Sequence, residues 1–300
     1  MITYGRKYNF FAISTIGLFL GCSSSIKHPE SDHQSNTDLQ CKDKGPGATR
    51  WLAMDPHVPL AITVGRDIRE AGQSCCEPWF VKGSQWKALD RWGQIVGEAR
   101  VKDGKLYDIT KCFELELEII KGDKGAGLFT DIHGQYRPQP SPEWKPSKEQ
   151  QEQFAEFIKN AQVLAVPGQS SGFSEGNPPT SLDGPPFFFK YSYKTAKGDD
   201  HSFLFGVAGG PVLVVAWLDD NGRWIINHIE NNQTNLDAAP NIQYLPIAVF
   251  DMNEDGSPEI IAYWKGDVSW AQIILKQLLP YGEPPGSWVR VAESVRGSTL

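Results

Sequence analysis

The oxygen chemistry of this chain is concentrated between Asp251 and Glu259, where Asp251, Asn253 and Asp255 alternate with other residues, Gly256 follows, and Glu259 closes the stretch. Donors at the first, third and fifth positions and a glycine at the sixth describe a short loop folded around a hard cation. The Ser257 carbonyl at the seventh position and the Glu259 carboxylate at the ninth extend the same set. Oxygen ligands in this number suit Ca2+ better than zinc or copper. Without a cation the gathered carboxylates, Glu254 among them, repel one another. The spacing therefore predicts a structural calcium ion held by Asp251, Asn253, Asp255, Ser257 and Glu259. The twelfth position, which would carry a bidentate Glu in a complete loop of this kind, is Ala262. The missing ligand implies weak binding, in the roughly 10⁻⁴ to 10⁻³ M class of extracellular modules.

The flanks "LPIAVF" and "EIIAYW" are strand-like, which separates the stretch from the helix-flanked EF-hand. It resembles instead the Asp-x-Asp-x-Asp-Gly loops between strands of FG-GAP and VCBS-type repeats. That resemblance implies Asp251, Asn253, Asp255 and Glu259 as side-chain ligands. It departs at Glu254, where Gly or Asp is common, and at Glu259, where Asp is commoner. It covers about 15 residues, and "WLDDNGRW" is the faintest of echoes. A full propeller, which needs repeats, is not expected.

Other chemistry-bearing residues read as structure. Gly168-Gln169-Ser170-Ser171-Gly172 has the Gly-x-Ser-x-Gly spacing of serine hydrolases. Gly172, Gly176, Pro178 and Pro179 deny it the helix that presents such a serine. The histidines (His28, His33, His57, His133, His201, His228) have no metal-ligand spacing. "KGDKGAGLF" lacks the strand–turn–helix context of a phosphate loop. Glu114, Glu116 and Glu118 alternate with Phe113, Leu115, Leu117 and Ile119, the pattern of a strand with a solvated acidic face. Trp217, Trp224, Trp264 and Trp270 offer glycan-stacking surface, with core packing as the plainer expectation.

The N-terminus sets the compartment in which any site would work. Arg6 and Lys7 precede an apolar run from Phe10 to Leu20, the form of an export signal, and the run is too short to span a bilayer. It ends in Phe19-Leu20-Gly21-Cys22, which resembles the lipobox of bacterial lipoproteins, with Phe19 where Leu is usual. The resemblance implies a signal peptide over residues 1–21 and lipidation of Cys22. Ser23, in place of a retention Asp, implies an outer-membrane destination, with the membrane engaged through the lipid anchor only. Residues 22–47 are polar and read as a flexible tether. Cys41, Cys75, Cys76 and Cys112 then remain, an even number for an oxidising compartment, and they read as two disulfides. Adjacent Cys75 and Cys76 are poorly placed to pair with each other. One of them is expected to pair with Cys41 and the other with Cys112.

The body reads as mainly β, a β-rich α+β chain. Residues 48–140 form a disulfide-containing β-rich subdomain, with a turn expected at Asp103-Gly104. Residues 141–185 hold a helix near 148–161, signalled by the Ser147/Gln150 capping box and an apolar face of Phe154, Phe157, Ile158 and Ala161. A Gly/Pro/Ser-rich linker follows it. Residues 186–300 read as an antiparallel, sandwich-like meander carrying the calcium loop, with Asp220-Asn221-Gly222 as a hairpin turn. "VSWAQIILKQL" suits strand or helix equally.

A formal net charge of −7 argues against a nucleic-acid partner, and the absence of a basic run argues against electrostatic docking to anionic lipid. No catalytic motif stands in a working context. The chain reads as a lipid-anchored envelope or surface binding or scaffold protein, its partner a protein or glycan at the cell envelope. The alternatives are a secreted polysaccharide hydrolase and an envelope-assembly component without a small ligand.

Overall fold

Runs of β-branched and aromatic residues bounded by turn residues fold as strands throughout the body. The structure is a computed structural model. It describes residues 49–52, 58–70, 82–107, 112–122, 128–131, 139–165, 185–194, 198, 200–231, 242–266, 269–278, 286–294 and 297–298. The described residues form three antiparallel sheets and a single helix. The fold is mostly β, as the sequence predicts.

β1 (Thr49–Leu52), β2 (Pro59–Val64), β3 (Asp67–Glu70), β4 (Gln85–Leu89), β5 (Ile95–Tyr107), β6 (Cys112–Gly122) and β7 (Leu128–Asp131) make a seven-stranded sheet. Its order is β3-β2-β1-β7-β4-β5-β6. β8 (Gln139–Pro140) joins a second, six-stranded sheet with β13 (Gln243–Asp251), β14 (Glu259–Lys265), β15 (Ser269–Gln277), β16 (Trp288–Glu293) and β17 (Gly297–Ser298). That sheet is ordered β16-β15-β14-β13-β8, with β17 paired to β15. β9 (Phe187–Lys194), β10 (Asp200–Ala208), β11 (Leu213–Leu218) and β12 (Trp224–Glu230) form the third, ordered β12-β11-β10-β9.

The six-stranded sheet is the middle layer. On one face Val249, Ile260, Ala262 and Ile273 pack against Phe189 and Phe205 of the four-stranded sheet. On the other face Ala248, Phe250, Ile261 and Ile274 pack against Trp51 and Leu60 of the seven-stranded sheet. Burial on both faces explains why β14 reads as an unbroken apolar run, where one-sided strands alternate. The segment "VSWAQIILKQL" lies in the same layer as β15, and strand pairing on both its sides settles the choice against helix.

The helix α1 (Lys148–Ala165) covers the outer face of the four-stranded sheet, seating Phe154, Ile158 and Ala161 on Val214, Ala216 and Trp224. Its N-terminus is closed by the expected reciprocal pair. The Ser147 N–H donates to Gln150 Oε1 at 2.8 Å, and the Gln150 N–H donates to Ser147 Oγ at 3.2 Å. The helix runs four residues past the expected end. Among the described residues no helix is long and apolar enough to cross a membrane.

One expectation is corrected. Asp103-Gly104 is not a turn: β5 runs through both residues, and Asp103 and Gly104 pair with Glu116 and Leu115 of β6. The register shifts between Val101 and Asp103. The Asp-Gly pair lies beside a bulge, an irregularity that strands accommodate without reversing. The hairpin turn at Asp220–Gly222 does form, held by Asp219, whose Oδ1 accepts the Asn221 and Arg223 N–H groups at 2.9 and 2.7 Å.

Candidate metal centre

β13 and β14 meet as a hairpin in the middle sheet, with Phe250 paired to Glu259, so the acidic loop is fixed at both ends by strands buried on two sides. Asp251 ends β13 and organises the loop backbone. Its Oδ1 accepts the Asn253 and Asp255 N–H groups, both at 3.2 Å, and its Oδ2 accepts the Gly256 N–H at 2.8 Å. Asp255 Oδ1 accepts the Ser257 N–H at 2.9 Å. Gly256 sits at φ +87° with nothing within 4 Å of where a Cβ would stand, so its backbone conformation, not space, calls for glycine. Glu254 is a non-glycine residue at φ +55°, its side chain exposed at the loop's tip.

The other acidic and amide side chains face inward. Asn253 and Glu259 are 0% exposed and Asp251 7%. Asn253 Nδ2 donates to the Arg66 carbonyl at 2.5 Å and to Asp255 Oδ2 at 3.3 Å. Glu259 Oε2 accepts the Met252 N–H at 2.7 Å, while its Oε1, equally buried, has no hydrogen-bond partner. The buried Ser257 Oγ lies by the Tyr191 phenol but makes no hydrogen bond of ordinary geometry. A lone buried carboxylate oxygen is costly unless a proton or cation meets it.

The electrostatics follow from that burial. Desolvation, with repulsion from Asp255 and Asp251, pushes the Glu259 carboxyl well above the usual carboxylate range, against the pull of the Met252 N–H and Lys276. Burial and the Asp255 charge likewise raise Asp251 despite its three backbone donors. Burial and the two aspartates push the Tyr191 phenol up to about 12.

Sequence reasoning missed Lys276. It projects from β15 opposite Glu259 and places Nζ 2.5 Å from Asp255 Oδ2. Among the described residues no group of three or more His, Cys, Asp or Glu side chains is arranged to hold a metal ion. Lys276 draws one Asp255 oxygen to itself. The expected set also counts the Asn253 amide oxygen and the Ser257 carbonyl. Its chemistry, all hard oxygen with one buried oxygen unmet, fits a calcium ion. The signal that could have found Lys276 is the strand register of β14 on β15, which no local pattern carries.

The remaining candidates are dispersed. Glu116 and Glu118 pair across β5 and β6 with Lys102 at 2.5 Å and Arg100 at 3.2 Å, a neutralised and solvated outer face. His201 is exposed, and His228 lies 3.3 Å from Glu230. Trp224 packs under α1, Trp264 lies in the core between the two C-terminal sheets, and Trp270 leans on Tyr263 at 6.1 Å. They form no common stacking platform with Trp217, which meets Phe203 edge-on. Cys112 opens β6. Cys22, Cys41, Cys75, Cys76, the Gly168–Gly172 motif and His28, His33, His57 and His133 lie outside the described residues. Comparison with protein-family models, curated proteins and solved structures returned no match.

Proposed function

We propose that this chain is a lipid-anchored envelope or surface protein of the binding or scaffold kind, with a calcium ion clipping the hairpin between β13 and β14. The observation that carries the calcium reading is the Glu259 carboxylate, wholly buried beside Asp251 and Asp255 with one oxygen unmet. In this reading Asp251, Asn253, Asp255 and Glu259 supply side-chain oxygens and Ser257 its carbonyl. The ion supplies charge neutralisation at the end of a sheet whose two faces are both core. Its role is structural.

The export signal with its lipobox-like Cys22 supports the membrane anchor, and the polar stretch over residues 22–47 supports a tether that sets the β body away from the lipid surface. A layered β body, with a single helix among the described residues, supports a rigid platform for a protein or glycan partner at the outer membrane. Among the described residues outside the acidic loop, Glu230 and Glu293 converge on the guanidinium of Arg290 between them, an arrangement that lends the hydrolase alternative no support.

The test is isothermal titration of Ca2+ into the chain together with melting curves in calcium and in chelator. Heat of binding and a higher melting temperature in millimolar calcium are expected, with magnesium weaker because it demands a tighter octahedral shell. No heat and no thermal shift would reject the ion. For the anchor, labelling with a radioactive fatty acid in a bacterial host, lost on Cys22→Ala, is the expected result.

A further inference from the structure

We infer that Lys276 is a resident counter-cation of the acidic loop: its ammonium holds Asp255 when no divalent ion is bound, and by doing so sets how much calcium the loop requires. The inference rests on the calcium reading above. Three carboxylates, those of Asp251, Asp255 and Glu259, are gathered at the base of the hairpin, and the described lysine among them is Lys276. Its Nζ stands 2.5 Å from Asp255 Oδ2 and 3.4 Å from the Arg66 carbonyl, the same carbonyl that receives Asn253 Nδ2.

The two oxygens of Asp255 are therefore both engaged, Oδ1 by the Ser257 N–H and Oδ2 by the lysine. Glu259 is engaged through one oxygen only. One ammonium stands among three carboxyl groups at a mostly buried place; it meets Asp255 and leaves the free oxygen of Glu259 to a proton or a cation. Asp255 is then the ligand that changes hands: when calcium enters, Oδ2 leaves Lys276 for the metal. The lysine stem is long and its side chain 21% exposed, so the ammonium can retreat to water. The outcome is a hairpin that keeps its shape without metal and takes up calcium only when it is plentiful. The same lysine prevents the bare carboxylates from forcing the loop open and repels the ion that would replace it.

The experiment compares the full chain with Lys276→Met, Lys276→Gln and Lys276→Arg by calcium titration and by melting in calcium and in chelator. Removing a positive charge a few ångströms from a divalent ion is expected to tighten calcium binding at least about tenfold in the Met and Gln variants. The Arg variant, which keeps the charge, stays near the wild type. The chelator-induced drop in melting temperature is expected to be larger for Met and Gln than for wild type. Calcium binding of equal strength in all four chains overturns the role of Lys276 and leaves the calcium reading standing. No calcium binding in any of them overturns both. Met and Gln variants that stay unfolded even in millimolar calcium also overturn it, since the ion was to replace the lysine.

Discussion

Arg290 on β16 grips Glu230 on β12, an ion pair that joins the edge strands of two stacked sheets across sixty residues of sequence. His228 holds the second oxygen of Glu230 at 3.3 Å, and Glu293 takes the other side of the guanidinium at 2.8 Å. Tyr244 of β13 lies close enough to act on Arg290. Burial alone would raise the Glu230 carboxyl. The bonds from His228 and Arg290 outweigh it and hold this acid below the usual carboxylate range.

That lowering predicts an acid-sensitive seam. A carboxyl that binds its proton less readily when folded stabilises the fold fully above its ordinary value of 4.5. The contribution fades as pH falls through the lower folded value. Glu230→Gln is expected to cost about 1–3 kcal/mol at neutral pH, because it strands part of the Arg290 charge at a half-buried site. The gap to wild type should narrow from about pH 4.5 downward. Urea titrations of both chains over that range measure it, and a gap that stays constant with pH refutes the assignment.

Gly206 on β10 marks how closely α1 approaches the four-stranded sheet. A Cβ there would stand 2.5 Å from Cε2 of Phe154. Gly206→Ala is expected to destabilise by about 1–3 kcal/mol through overpacking. Phe154→Leu in the same chain should recover part of that loss, although it is damaging alone. The double-mutant cycle by denaturant unfolding checks the coupling. Additive losses would place the clash elsewhere.

The contrast between these contacts and the rest of the fold shows what local pattern can carry. The capping box at Ser147 and the Asp220-Asn221-Gly222 turn were legible because their hydrogen bonds close within four residues. The ligand-like spacing of Asp251, Asn253 and Asp255 was legible for the same reason, since the loop's backbone bonds are local. Asp103-Gly104 misled because the same dipeptide serves a turn or a bulged strand, and only the partner strand decides. Lys276 and Arg290 were out of reach, because each meets its carboxylate through sheet register or sheet stacking. The middle position of the six-stranded sheet was not visible in the sequence. Its apolar runs read as strands of an antiparallel meander, but not as strands covered on both faces, because the covering sheets come from elsewhere in the chain.

Ser147→Ala isolates a local contribution. It removes the oxygen that receives the Gln150 N–H at the start of α1. A loss of about 1 kcal/mol is expected, the usual value of such a cap. The denaturant slope should stay unchanged, since the helix remains docked through Phe154 and Ile158. A loss several times larger would mean that the helix terminus supports more than itself.

Glu259→Gln separates the cost of the acidic loop from its use. The amide keeps the side chain's shape and an oxygen for the Met252 N–H, while removing a buried charge that Asp251 and Asp255 repel. In chelator the variant is expected to match or exceed the wild type in stability, because an unfavourable buried ionisation has been taken away. In millimolar calcium the order should invert: the wild type gains from the ion as calcium rises, and the variant, having lost a ligand, does not. Melting curves of the two chains across a calcium series give both halves of the comparison. A variant weaker than wild type by the same margin at every calcium concentration would show that Glu259 packs the hairpin without serving a metal.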